Sequence, residues 1–373
     1  MGIDQSIDNA LSVKLNIARA GAAFLVTIGH IRNTFFTDWN HLTPDSHNII
    51  NYILWCLTRL GFEAVIVFFV LSGYLVGGSL ISNVVNEKPL WVKYLVDRLV
   101  RLWMVLIPAL LIGAVCDIYT IYLNPAVPGA DRITLNVFFG NLVFLQTILV
   151  QPFGTNIPLW SLAYEFWYYM IWPVLLVFAT IKMKIPFRVV LILILFVILY
   201  LIIPEIIKLY PIWIAGALVR VINFKKLFLN KITLLFAIAF CIGCFIFSSL
   251  ATSTFRYYLL ASSVLIVILH WKNGIHLTKN IDSKLPHFFS EFSFSLYATH
   301  YFFMFLILET TRTIFDLKEK FIKADFSTWL IISGMSILIC GLSWIFYYFT
   351  ERHTFFVRKK VYNGIQKFKN QPF

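Results

Sequence analysis

Arg19 and His30 lie eleven residues apart in the first strongly apolar stretch of the chain. At about 100° per residue, eleven steps bring a helix almost back to its starting face, and the rise separates the two side chains by roughly 16 Å along the axis. That is about half the hydrocarbon thickness of a bilayer. Ionisable groups at such depth cost at least ~2.5 kcal/mol each on insertion scales, so two on one face point to a polar, functional interior. Imidazole, with an ordinary pKa of about 6.5, is the side chain best suited to take a proton from a hydroxyl near neutral pH. The competing reading of His30 is a hydrogen-bonded packing residue.

Four further clusters carry chemistry. The segment 68–74, PhePheValLeuSerGlyTyr, offers Ser72 and Tyr74 as acceptor-binding groups, with small-residue helix packing as the alternative, and Glu63 stands about two turns earlier. Arg98 and Arg101 form an ArgXXArg just before an apolar run. Guanidinium binds phosphate through two directed hydrogen bonds, and snorkelling to lipid phosphates is the alternative. The segment 160–169 places Ser161 and Glu165 four residues apart, hence on one helix face. A carboxylate there can orient a histidine, hold sugar hydroxyls or pair with an arginine. Trp160, Trp167, Tyr168 and Tyr169 read most simply as an interfacial aromatic belt, although rings also suit sugars. Finally, Ser293, Tyr297 and His300 follow one another along one predicted helix, where an interhelical hydrogen-bond network competes with a role toward substrate.

The elements that must position these residues are membrane helices. Hydrophobic residues make up 60% of the 373, charged residues 13%, and mean hydropathy is +0.80, far from the composition of soluble domains. Apolar runs near 18–36, 60–81, 102–123, 134–150, 159–181, 187–204, 206–222, 232–250, 254–271, 288–310 and 328–350 mostly reach the ~17–25 residues of a spanning helix. Basic loops decide how many cross. Lys88, Lys93, Arg98 and Arg101, then Lys182, Lys184 and Arg188, then Arg220, Lys225, Lys226 and Lys231, then Lys272, Lys279 and Lys284, and last the tail from Arg352 to Lys369 alternate consistently only if the run 134–150 re-enters or lies along the interface. The expected fold is all-α and polytopic, with ten crossings, one re-entrant or interfacial segment and both termini cytoplasmic. It forms one integral domain over 1–373, with a core of about 12–355 and a short basic tail, 351–373.

The +13 net charge therefore reflects topology, and no basic patch interleaved with aromatics suggests nucleic-acid binding. Asp4 and Asp8 interrupt any secretory-signal layout, so the first helix is expected to stay. Cys241 and Cys244 form a lone CysXXCys inside an apolar run and read as packing. His41, His47, His276, His287 and His353 fall in loops or the tail, and His270 ends a helix; none shows metal-ligand spacing, so no metal is expected.

Taken together, Arg19 to His30, PhePheValLeuSerGlyTyr, Arg98 with Arg101, TrpSerLeuAlaTyrGlu (160–165) and SerLeuTyrAlaThrHis (295–300) resemble the acyltransferase-3 family of membrane O-acyltransferases, over about residues 12–355 and in the family's motif order. The resemblance implies transfer of an acyl group, most often acetyl, from cytosolic acyl-CoA to a hydroxyl on a glycan, exopolysaccharide, O-antigen, lipid-linked saccharide or small polyketide-like molecule, in a bacterial inner membrane. It also implies a ten-helix core. The family's Arg and His fall on Arg19 and His30, its arginine pair on Arg98 and Arg101, and its Ser and Glu on Ser161 and Glu165. A GlyVal step common in the family is replaced here by Ala64 and Val65, which leaves the role of Glu63 open. No appended esterase-like domain is expected after the core, so the membrane domain alone or a separate partner would complete transfer.

On this reading CoA phosphates bind Arg98 and Arg101, the pantetheine arm passes Arg19, and His30 deprotonates the acceptor. Glu165 steadies the imidazolium, and Ser161 or Tyr297 hydrogen-bonds acceptor or oxyanion. Trp160 and His300 line the acceptor side. Acyl-CoA is a donor substrate, and no tightly bound cofactor is expected. Membrane lipids are the remaining partner, and the oligomeric state is open. A polytopic exporter of a saccharide or small molecule is the main rival, and an acyl-CoA sensor the second.

Overall fold

The computed structural model describes residues 8–86, 91–222, 229–278, 282–315 and 320–369. Asp4, Lys88, Lys225, Lys226 and Lys279, used above for targeting and topology, lie outside the described residues. Among those described, the chain is helical throughout, with only isolated bridges of extended backbone.

Each of the ten long apolar runs falls on a helix. They are α1 (Asn9–Phe35), α3 (Gly61–Ser72) continued by a π-helical turn (Gly73–Gly77) into α4 (Gly78–Val85), α5 (Trp91–Leu123), α7 (Trp160–Thr180), α8 (Ile185–Ile202), α9 (Pro204–Val221), α10 (Lys231–Leu250), α11 (Phe255–Lys272), α13 (Ser293–Phe315) and α14 (Phe326–Phe349). Among the described residues, seven spans are long and apolar enough to cross a membrane by length and composition, or eight if the pair α12 (Lys284–Glu291) and α13, bent by 52°, counts as one. The protein is therefore an integral membrane protein. Helix α8 makes the point most directly: it has no buried residue, yet it is apolar on every side, which suits hydrocarbon and not water. Prolines 108, 173 and 211 sit inside α5, α7 and α9, as membrane helices tolerate where neighbours re-satisfy the freed backbone groups.

The run 134–150 behaves differently. Helix α6 (Leu135–Leu142) has eight residues, about 12 Å of rise, and cannot span. Beyond it the chain turns through Phe144 (φ 60°) and Thr147 (φ 69°). Irregular backbone in a membrane protein must find polar partners within the protein. Here Asn141 supplies several: its Nδ2 donates to the carbonyls of Val137 (2.8 Å) and Gln151 (2.9 Å), and its Oδ1 accepts from Phe153 N (3.1 Å). Gln146 Nε2 donates to Leu159 O at 3.1 Å.

The residues gather into two compact units, interleaved in sequence. The first comprises Met1–Arg19, Val65–Leu95 and Tyr164–Pro286. In it the α3–α4 span meets α9 at the π-helical turn, where a Cβ on Gly73 would collide with the Trp213 carbonyl, so only glycine permits this approach. Nearby, α10 and α11 pack through Leu234, Ala237 and Val267, with Cys241 against them, in line with a packing role for that cysteine. The second unit comprises Ala20–Ala64, Val96–Ala163 and His287–Phe373. It holds most of α1, α2 (Ile49–Thr58), most of α5, α6, α13, α14 and the basic tail helix α15 (Thr354–Lys369).

Candidate active site

Within the second unit, His30 on α1 faces α13. Its ring stacks on that of His300 with centroids 5.4 Å apart and 27° between planes, and the edge of Tyr301 meets it at 4.9 Å. His300 is fully buried. Its Nδ1 lies 2.8 Å from Tyr297 O and 3.1 Å from Leu296 O. A carbonyl only accepts, so Nδ1 carries the proton and Nε2 presents a lone pair. That Nε2 is buried and has no hydrogen-bond partner. A fixed tautomer with an unused acceptor is an arrangement expected where a proton-bearing substrate group is to be held.

The next turn of α13 is tied to the start of α7. Tyr297 OH donates to Pro158 O at 3.0 Å and lies 2.5 Å from Ser161 Oγ. Ser161 Oγ also reaches Pro158 O at 3.4 Å, so the two hydroxyls share one carbonyl and either can donate to the other. Ser161 and Tyr297 thus come together as a buried pair whose protons rest on protein oxygens, and their present role is to set the register of α13 beneath His300. Ser293 donates to Ser290 O at 2.8 Å, a contact within its own turn. Trp160 stacks on Phe62 at 5.5 Å and 17°.

Sequence reasoning missed the clamp that holds the loop before α7. Asp117 on α5, 1% exposed, accepts from Thr155 N at 2.9 Å and from Thr155 Oγ1 at 2.7 Å. Gly154, at φ 56°, leaves room for the carboxylate. The next residue, Asn156, donates through Nδ2 to Ala298 O at 2.8 Å, two residues before His300. An acidic residue inside the apolar run 102–123 was the available signal, because an intramembrane carboxylate is functional or structural by default.

Arg98 and Arg101 lie half-buried near the start of α5, with the Arg101 guanidinium 5.8 Å over Phe294. Between α5 and the tail, Asp97 accepts from Arg358 (3.1 Å) and Tyr362 (2.8 Å), so α15 is docked beside the arginine pair.

In the first unit, Ser72 and Glu165 do meet. Ser72 Oγ donates to Glu165 Oε1 at 2.6 Å and accepts from Trp213 Nε1 at 3.0 Å, and Tyr169 OH also donates to Glu165 Oε1. Glu165 therefore has a defined set of donors in Ser72 and Tyr169. Tyr74 is buried, with the Arg220 guanidinium 5.6 Å from its ring. Arg19 is half-buried on α1. Glu63, in the second unit, is buried at 3% exposure. The aromatic belt reading needs correction. Tyr168 and Tyr169 are buried, Tyr168 stacking on Tyr210 at 4.7 Å and donating to Ile206 O at 3.0 Å. A phenol turned inward needs such a partner, and α9 supplies it.

Among known proteins, the family described as an acyltransferase domain, acyltransferase-3, matches residues 12–348. The chain belongs to this family. A curated relative, peptidoglycan O-acetyltransferase OatA of Listeria monocytogenes serovar 1/2a, is 33% identical over 125 residues, 31% of this chain and 20% of that protein. The chain thus matches about a fifth of that relative's length. No solved structure matches. Membership of an acyltransferase family favours an O-acyltransferase over the exporter and sensor readings.

Proposed function

We propose that the protein moves an acetyl group from cytosolic acetyl-CoA to a hydroxyl of a surface saccharide, at a site built on α1 and α13. The observation that carries this reading is the stacked pair His30 and His300, in which the His300 tautomer is locked by two backbone carbonyls and its buried Nε2 is left open. His300 Nε2 accepts a hydrogen bond from a second, non-reacting hydroxyl of the acceptor and so orients the sugar. His30 takes the proton of the attacking hydroxyl as its oxygen adds to the thioester carbonyl; the C–S bond then breaks, and the departing CoA sulfur receives the proton from the imidazolium. Tyr297 and Ser161 are positioning residues that hold α13. Arg98 and Arg101 are the groups for the donor's phosphates. The Ser72 and Glu165 cluster keeps α7 and the π-helical turn in register.

The acceptor class, a glycan or lipid-linked saccharide, is supported by the relative named for peptidoglycan. Ten crossings, both termini cytoplasmic, a single functional domain and residence in a bacterial inner membrane complete the reading. They are supported by the match of every long apolar run but 134–150 to a long helix, by the basic loops and by a family match running through both units.

The test is transfer of label from acetyl-CoA to isolated surface glycans by the full chain in nanodiscs. His30→Ala and His300→Ala, each shown folded by unchanged elution and melting, are expected to lose roughly 10²–10⁴-fold in rate, the usual range for a positioned acid–base group. Full transfer by folded His30→Ala would sink the assignment.

A further inference from the structure

Arg32, in the last turn of α1, is 6% exposed. Its guanidinium carbon lies 4.3 Å from the centroid of the Trp55 ring on α2. No hydrogen bond or ion pair joins its donors to any group among the described residues, and its Nε is fully enclosed. The charged groups facing it are Arg59, at the end of α2, and Asp38, which forms no ion pair with it. The helix C-terminus and the indole face offset part of the cost of this buried cation. Neither uses the in-plane N–H donors. Stacking on an indole and bidentate binding of an anion are compatible in guanidinium, because one uses the face and the other the edge. Arg59 adds a second positive charge on the exposed side.

A track of rings leads outward from this point. Trp55 meets Trp39 at 5.3 Å, and Trp39 meets His47 at 5.0 Å and Tyr52 at 5.7 Å. Trp39 is half-buried, while His47 and Tyr52 are exposed. Aromatic faces beside a guanidinium edge are the combination that holds an acidic sugar, ring on ring and anion on N–H.

Resting on the transferase reading above, we propose that Arg32, backed by Arg59 and stacked on Trp55, binds an anionic group, carboxylate or phosphate, carried by the saccharide acceptor. On α1 Arg32 is turned about 200° from His30, so it reads a part of the acceptor other than the reacting hydroxyl. The acceptor is accordingly an acidic glycan.

The experiment compares methyl glucuronide with methyl glucoside, its neutral counterpart, by calorimetric titration of the full chain in phosphatidylcholine nanodiscs. The wild type is expected to bind the glucuronide at least ten-fold more tightly, and the preference to shrink as salt is raised. Arg32→Gln erases the preference and leaves glucoside binding unchanged; Arg32→Lys, which keeps charge without the planar fork, restores part of it. Should Arg32→Gln fail to fold, Arg59→Gln at the exposed position is expected to reduce the preference two- to three-fold. Equal binding of the two sugars by the wild type, or a preference that survives both Arg32→Gln and Arg59→Gln, overturns the proposal. Loss of the preference when phosphatidylglycerol replaces part of the bilayer assigns the site to lipid phosphate and likewise overturns it. Release of CoA from acetyl-CoA, followed separately, reports on the transferase reading, so its absence with the sugar preference intact removes that reading and leaves an anion site.

Discussion

Replacing Asp117 by alanine tests how the loop before α7 holds the His300 helix. The carboxylate accepts two hydrogen bonds from Thr155, a residue itself 1% exposed. Truncation leaves a buried N–H and a buried hydroxyl without their acceptor, at about 1–3 kcal/mol each. Relief from burying a charge offsets part of this sum, so a net destabilisation of roughly 2–4 kcal/mol is expected. Asp117→Asn differs in a defined way. Its amide oxygen still accepts from Thr155 N–H, whereas its NH₂ faces Thr155 Oγ1, which must then accept and surrender its own proton's partner. One donor is lost in place of two, and the cost is about half. Thermal melting of the three proteins in the same detergent should therefore rank wild type above Asn above Ala, with Ala several degrees down. Because Asn156 is bonded to Ala298, transfer by Asp117→Ala should also fall at temperatures where it remains folded. A melting point for Asp117→Ala within about 1 °C of wild type, or Asn less stable than Ala, would refute the clamp, since ~1 kcal/mol moves the melting temperature by a few degrees in a domain of this order of size.

Gly73→Ala places a methyl group against the Trp213 backbone, which has no rotamer to yield, and should destabilise by ~1–3 kcal/mol; unchanged melting would contradict the close approach of the π-helical turn to α9. Asp325, the N-cap of α14, is held from its ordinary 3.8 down to about 2 by the Ser327 hydroxyl and the Thr328 N–H. Its contribution is therefore present above pH 4 and lost as pH falls toward 2, so acid melting curves of wild type and Asp325→Ala should converge between pH 4 and pH 2 and stay apart at neutral pH.

Much of the fold was legible because hydrocarbon imposes one requirement on every exposed side chain. The ten long runs and the non-spanning 134–150 follow from length, charge and proline content alone. The candidate site was legible in its parts: His30, His300, Tyr297 and Ser161 were all named from their residue types, and the structure groups them. Their roles were not legible, since a hydroxyl's role depends on which lone pair or proton remains after its neighbours are satisfied. Tyr168 and Tyr169 show the same limit. A tyrosine in an apolar run suits a membrane interface or a protein interior equally well, and only the presence of α9 decides between them.

Sequence by itself determined that this chain lives in a membrane, where its helices lie and that ionisable residues within them must be sheltered, because the cost of exposing charge to lipid is set by composition and period. Tertiary structure decided what shelters each of them. His300 acquired a fixed tautomer from two carbonyls, Asp117 a partner 38 residues away in Thr155, Glu165 the hydroxyls of Ser72 and Tyr169, and Arg32 an indole face with its edge left open. Hydrogen bonds and ring contacts act over a few ångströms between residues distant in sequence, and no periodicity along the chain encodes them.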